Sequence, residues 1–262
     1  MDALMLQRAK CRFSRATDTY DKAAQAQQQI CLHAARLLSP HLVAYREKNG
    51  IFQSALEIGC GTGGFTKYLQ RLLPDARWTI NDLCEANARL SAQRYASHPV
   101  SIQAGDAENV DWQGRYQLIA SASVVQWFRE PRLWLERMAS LQEPGDLLFF
   151  TSFLQGTLSE IYELTGKGLS FPPESDWLTW SASSYRPLHV SSETICLYFN
   201  SPVDVLRHLK HTGVTATGGE FWTRNRLASF VEKYQEKFQT TDGKVVLTFV
   251  PVYFLLERIN RI

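Results

Sequence analysis

Residues Ala55–Thr66 read ALEIGCGTGGFT, and the rest of the chain is organised around this stretch. Ala55-Leu56-Glu57-Ile58 is a short apolar run of the kind a buried strand makes. Gly59-Cys60-Gly61-Thr62-Gly63-Gly64 follows, and a helical spacing then opens at Phe65 and continues through Tyr68, Leu69 and Leu72. Strand, glycine turn and helix open a nucleotide-binding βαβ unit. Glycine serves such a turn twice. It reaches backbone angles that a Cβ would forbid, and it lets a bulky ligand lie against bare backbone. Amides left free at the start of the next helix then face that ligand.

The spacing admits two kinds of ligand. Gly59, Gly61 and Gly64 fit G-x-G-x-x-G, the dinucleotide fingerprint. Gly59, Gly61 and Gly63, preceded by Glu57, fit E-x-G-x-G-x-G, and EIGCGTG resembles motif I of the class I S-adenosylmethionine-dependent methyltransferases. Cys60 occupies a place in the turn where a small residue is needed, which gives it a packing role.

Downstream, strands and helices alternate. Trp78–Asp82 reads as a second strand ending in an acid, about 20 residues past the turn, where a carboxylate accepts ribose hydroxyls; Glu85 competes for that role. A helix from Glu85 to Tyr95 and a third strand, Val100–Gln103, lead to Ala104-Gly105-Asp106-Ala107. Asp106 matches the methyltransferase position that meets the adenine amine, and an Asx turn or helix cap is an equal use for it. Tyr116–Ser121 is the fourth strand. A helix from Arg132 to Leu141 and a Pro144-Gly145 turn precede the fifth, Leu147–Thr151. Five such strands predict a parallel, doubly wound α/β sheet.

Around this core, Thr19 to Leu38 has helical spacing, with Asp18 or Thr19 as N-cap and Pro40 expected to break the helix before a further turn to Lys48. From Ser152 to about Ser192 the chain is irregular and aromatic and reads as an inserted lid. Glu193–Phe199 is strand-like, Val203–Lys210 and Leu227–Phe238 are helical, and Val245–Leu256 is β-rich apart from Pro251, which suits an edge or a bulge. The expected organisation is one domain: 1–50 a helical cover, 51–151 the cofactor-binding core, 152–220 a substrate lid and insertion, 221–262 a C-terminal helix and strand.

Composition bounds the function. Of 262 residues 45% are hydrophobic and 21% charged, an ordinary globular balance. A net charge of +2 is too small for a nucleic-acid binder. No apolar run approaches the roughly 20 residues of a membrane span, and MDALMLQRAKCRF is too polar for a secretory signal. Five cysteines without a C-x-x-C pair argue against zinc or a disulfide framework and fit a reducing cytoplasm. No metal site is expected. From Arg186 onward there are 10 lysines and arginines against 7 acids, a mildly basic third.

The flanks are more specific than the turn. Val124-Val125-Gln126-Trp127-Phe128 resembles the Gln-Trp element of methyltransferases that esterify small carboxylic acids. An indole N–H can hold one carboxylate oxygen and leave the other free to attack; half-buried core is the plainer use of Trp127. RFSRATDTYDKAAQAQ near the N-terminus, TSFLQGTLSEIYEL after the fifth strand and SPVDVLRHLKHTGV later on all resemble the malonyl-acyl-carrier-protein O-methyltransferase family of biotin synthesis. The resemblance runs from Phe13 to about Glu257. Its usual Pro-Gly-Gly turn is Pro144-Gly145-Asp146 here, and residues 160–190 match weakly.

This resemblance implies a class I methyltransferase Rossmann-like sheet, mostly parallel with an antiparallel last strand and helices on both faces. It implies S-adenosylmethionine as cofactor, with S-adenosylhomocysteine as product, held by Glu57, Gly59, Cys60, Gly61, Gly63, Asp82, Leu83, Asp106, Ala107 and Ser121. Tyr20, Gln27 and Trp127 would form the carboxylate end. Packing of Tyr20 on the sheet, and solvation of Gln27, are the plainer uses of those two residues. The implied reaction methylates the free carboxylate of a malonyl thioester on acyl carrier protein, masking its charge for fatty-acid synthesis enzymes. That carboxylate is already ionised at pH 7, so no general base is required. The carrier is acidic, which makes Arg186, Arg207, Lys210, His211, Arg224 and Arg226 candidates for its docking face. A cytoplasmic monomer without nucleic-acid or membrane partners is expected. Three alternatives stay open: a methyltransferase of small free acids, an NAD-dependent oxidoreductase, and a non-catalytic binding module.

Overall fold

The structure is a computed structural model and describes residues 23–96, 100–213 and 223–260. The pattern of apolar runs sorts directly into layers. In β5 (Leu147–Phe153) Leu147, Phe149 and Phe153 face one apolar cluster, and Leu148 and Phe150 face another. In β9 (Pro251–Arg258) Tyr253 and Leu255 face the first cluster, and Val252, Phe254 and Leu256 face the second. Side chains alternate across a strand, so a run apolar at every position is buried on both faces.

Seven strands form the main sheet in the order β3-β2-β1-β4-β5-β9-β6. β1 (Ser54–Ile58), β2 (Arg77–Asp82), β3 (Ser101–Ala104), β4 (Leu118–Ser121) and β5 run parallel. β9 lies antiparallel between β5 and β6 (Tyr185–Ser192). Helices α1 (Gln25–Asn49) and α2 (Thr66–Leu72) cover one face. α4 (Pro131–Ser140) and α6 (Glu174–Ser181) cover the other, where Trp134 and Trp177 pack on Phe150. α3 (Glu85–Tyr95) packs at the β2–β3 side.

Three expectations need correction. Pro40 does not end the first helix: α1 runs unbroken to Asn49. Ala34, Leu38, Leu42 and Tyr45 make one buried stripe through the proline, and burying that stripe outweighs the ~3 kcal/mol a helix-interior proline costs. Second, the supposed lid at 152–220 is not all lid. Ser152 and Phe153 extend β5, and Tyr185–Ser192 is the sixth strand of the sheet. Third, Val245–Leu256 is two strands. β8 (Val245–Phe249) pairs with β7 (Ile195–Phe199) in a separate hairpin, and the chain switches sheets at Val250–Pro251. Pro251 opens an internal strand and not an edge; as a first residue it removes no ladder bond that the strand needs.

The hairpin completes the first cluster with α5 (Ser159–Thr165), α7 (Pro202–His211) and α8 (Arg224–Phe238). Glu160 ties it down, accepting from the Thr248 N–H at 3.2 Å and the Thr248 hydroxyl at 2.5 Å. Ser201 and Thr223 cap α7 and α8. Among the described residues no helix is long and apolar enough to cross a membrane.

Candidate active site

A cavity of about 300 Å³ opens at the carboxyl ends of β1, β2 and β4, where open α/β sheets hold their ligands. Gly59, Cys60, Gly61, Thr62 and Gly64 line it with Asp82, Leu83, Asp106, Ala107 and Trp127. The glycines of the turn have separate reasons. A Cβ on Gly59 would lie 2.3 Å from Val124, so this glycine lets the turn meet the loop after β4. Gly61 has φ +52° with nothing within 4 Å of an added Cβ, so its bare backbone faces open space.

Gly63 departs from expectation. It is not among the cavity-lining residues; a Cβ there would strike the Tyr95 ring at 2.4 Å, so this glycine admits α3 to the turn. Glu57 and Ser121 lie behind the site as well. Ser121 is fully buried and its hydroxyl donates to the Ile58 carbonyl at 3.0 Å, locking β4 to the end of β1. Glu57 is buried under the turn with Oε2 unpartnered. Desolvation, with a smaller push from Asp82, drives its carboxyl up to about 8 against the help of Thr66.

Of the expected acids, the two that reach the cavity are each pre-tied. Asp82 accepts from the Gly61 N–H at 2.9 Å on one oxygen and from the Cys84 N–H at 2.8 Å on the other. Burial raises its pKa, and these donors with Asn87 counter the rise. Asp106 accepts from the Glu108 N–H at 3.1 Å, an Asx turn, and from Asn109 at 2.7 Å. So the ligand-facing and turn-making uses of Asp106 coexist. Glu108, which the sequence reading missed, also lines the cavity and accepts the Arg129 and Glu130 N–H groups at 2.8–3.0 Å. It thereby couples the loop after β3 to the segment that follows Trp127.

Trp127 ends a short 3₁₀ turn, Val125–Trp127, and is half-buried at the cavity wall. That separates it from the core tryptophans Trp134 and Trp177. A second, smaller cavity of about 40 Å³ adjoins it, lined by Phe153, Leu158, Phe171 and Phe249 among others. Gln27, Ser123 and Trp127 line both cavities. Ser123 was not foreseen. It holds φ +60°, its N–H donates to Thr151 Oγ1 at 2.8 Å, and its buried hydroxyl has no partner. Left-handed backbone in a non-glycine residue concentrates at functional sites. Tyr20 lies outside the described residues, as do Asp18 and Thr19.

The basic candidates do not make one face. Arg186 pairs with Glu257, opposite the first residue of β5, at the amino ends of the strands and away from both cavities. Arg207 pairs with Asp204 on α7. Lys210 is exposed near the end of that helix, just before Thr212, which lines the small cavity. Arg224 and Arg226 are exposed in the first turn of α8.

The residues present suit S-adenosylmethionine. Bare backbone at Gly61, carboxylates at Asp82 and Asp106, apolar walls at Leu83 and Ala107, and the unpartnered Oε1 of Gln27 give a cradle with acceptors for hydroxyls and amines. A dinucleotide fold of the oxidoreductase type carries a parallel sixth strand beside the fifth; here antiparallel β9 takes that place. Fold and site together define a class I S-adenosylmethionine-dependent methyltransferase. Residues 55–145 match the family model described as a methyltransferase domain. A methyltransferase structure from Bacillus halodurans superposes with a TM-score of 0.60 at 14% identity, covering 84% of this chain and 98% of that one. The Bradyrhizobium japonicum N-methyltransferase NodS, bound to S-adenosyl-L-homocysteine, superposes at 0.51 with 16% identity, covering 86% of this chain and 87% of that one.

Full-length relatives narrow the class. The malonyl-[acyl-carrier protein] O-methyltransferase of Porphyromonas gingivalis is 40% identical, covering 94% of this chain and 93% of that protein. The Haemophilus influenzae protein of the same name is 36% identical, covering 95% and 93%. The chain belongs to the malonyl-[acyl-carrier protein] O-methyltransferase family.

Proposed function

We propose that this protein transfers a methyl group from S-adenosylmethionine to the free carboxylate of malonyl-acyl carrier protein, giving the methyl ester that enters biotin synthesis. The observation that carries the reading is the placement of Trp127 and Gln27 where the cofactor cavity meets a small, mostly apolar one.

When bound, the cofactor supplies an electrophilic sulfonium methyl by its own chemistry. The Gly61 backbone, Asp82 and Asp106 are the residues that would hold it. The protein's remaining task is to place an already ionised carboxylate and strip its water. Phe153, Phe171 and Phe249 give a wall that excludes water. The lining of the small cavity includes no Lys or Arg among the described residues. A charge-assisted pair at the Trp127 end would hold the attacking oxygen down. A neutral donor such as the Trp127 indole N–H orients the carboxylate without quenching it.

Arg207 and Lys210 on α7, beside Thr212 at the small cavity, are the cations best placed to meet an acidic carrier; Arg186 is withdrawn from that role. The test is methyl transfer from labelled S-adenosylmethionine to malonyl-acyl carrier protein, with malonyl-CoA and free malonate beside it. Base-labile label confined to the carrier substrate supports the reading. Equal label on free malonate moves the assignment to a small-acid methyltransferase.

A further inference from the structure

The small cavity carries a polar pattern that the carboxylate does not use. Gln126 lines this cavity and not the larger one. Its Nε2 donates to the Ser123 carbonyl at 2.8 Å. A carbonyl only accepts, so that contact fixes which end of the amide is which. Oε1 is then buried without a hydrogen-bond partner, as is Oε1 of Gln27. An acceptor left unmatched in this way carries a desolvation penalty that a ligand N–H or O–H would remove. A bare carbonyl acceptor repels a carboxylate, so a donor-bearing part of the substrate belongs at Gln126.

On the carboxyl-methylation reading, a malonyl thioester offers none itself: its carboxylate and thioester carbonyl are acceptors. The first donor is the amide N–H two carbons beyond the sulfur on a pantetheine-type arm. With the carboxylate at Trp127, which borders both cavities, the arm is the part left to occupy the smaller one. We infer that the small cavity receives the thioester arm and that Gln126 Oε1 accepts the hydrogen bond of its first amide N–H, which makes Gln126 a specificity-determining residue. The Phe153, Leu158 and Phe249 side chains pack along the sulfur and its two methylenes, and Gln126 reads the first polar group after them.

The test uses the full-length protein and malonyl-acyl carrier protein carrying either the natural arm or an arm with an ester oxygen in place of that N–H. The wild type is expected to methylate the natural substrate with roughly tenfold higher kcat/KM, the worth of one buried hydrogen bond. In Gln126→Met, and in the smaller truncation Gln126→Ala, the ratio falls to near one. Gln126→Glu keeps an acceptor and keeps the preference. Loss of the tether to Ser123 would slow both substrates alike and leave the ratio untouched, so the ratio separates reading the arm from shaping the loop. Equal kcat/KM for the two arms in the wild type, or an unchanged preference in the Met and Ala variants, overturns the inference while carboxyl methylation stands. Failure to methylate even the natural carrier substrate overturns the functional reading and this one with it.

Discussion

The carboxylate of Asp82, at the end of β2, accepts the backbone N–H of Gly61 at 2.9 Å. The acid placed to receive ribose hydroxyls is therefore also the clamp on the glycine turn. Asp82→Asn keeps the size of the side chain but loses the charge on both duties. Affinity for S-adenosylhomocysteine is expected to fall tenfold or more, from hydrogen bonds to a charged acceptor worth about 1.5–3 kcal/mol. Titration calorimetry checks this; unchanged affinity would remove Asp82 from the site.

Trp127→Phe keeps the aromatic wall and removes only the indole N–H. The expected result is a fall in kcat of roughly tenfold with little change in S-adenosylhomocysteine affinity, since the lost contact is to the acceptor carboxylate. Steady-state kinetics beside a binding titration separates the two. A loss of cofactor affinity as large as the loss of rate would place the indole on the wrong ligand.

Glu57 sits under the turn with its carboxyl pushed up to about 8 by burial. The folded state then keeps a proton that the unfolded chain releases near 4.5. Its contribution to stability is full below that lower value and declines as pH rises toward 8, by at most about 1.4 kcal/mol per pH unit. Glu57→Gln removes that decline, so its melting temperature relative to wild type should climb between pH 5 and about 8. A constant difference across that range would mean that the buried carboxyl ionises normally.

His208 runs the other way. Its ring is buried 5.1 Å from that of Phe199, and desolvation, then His211, lowers its pKa to about 4 from 6.5. It is neutral in the fold, so its contribution is intact above 6.5 and is lost as pH falls through that value toward 4. His208→Phe should flatten the acid limb of a thermal-stability profile. An unchanged acid limb would contradict this.

Charge on α7 is expected to act on the carrier and not on chemistry. Arg207→Ala with Lys210→Ala should raise KM for malonyl-acyl carrier protein several-fold at low salt, with the difference fading as salt screens it. Arg186→Ala, at the opposite end of the sheet, should change nothing in the same assay. Equal effects from both would dissolve the docking face.

Much of this was legible in the sequence because it is local. The turn, the existence of the first five strands and the Glu85–Tyr95 helix follow from spacing and glycine placement, and Asp82, Asp106, Gln27 and Trp127 all reach cavity walls. What was illegible depends on pairing. Tyr185–Ser192 looked irregular because it is exposed along much of its length at the sheet edge, so it lacks the apolar run of its neighbours. Within the β-rich Val245–Leu256 nothing local announces that β8 and β9 join different sheets. Gly63 and Glu57 share the motif's spacing with cavity residues and Ser121 ends a neighbouring strand, yet Tyr95, Thr66 and Ile58 are their contacts. The left-handed backbone of Ser123 and the reach of Glu108 to Arg129 carry no sequence signal at all. Gln126 is half of the Gln-Trp element, and its unpartnered oxygen shows only in three dimensions.

The most direct measurement is the intact mass of malonyl-acyl carrier protein after incubation with this protein and S-adenosylmethionine. The account predicts the mass of one added methyl group on the malonyl carrier, removable by mild base, and no change on acetyl-loaded carrier, which has no free carboxylate. A malonyl carrier left unmodified while S-adenosylhomocysteine still binds the protein would contradict it.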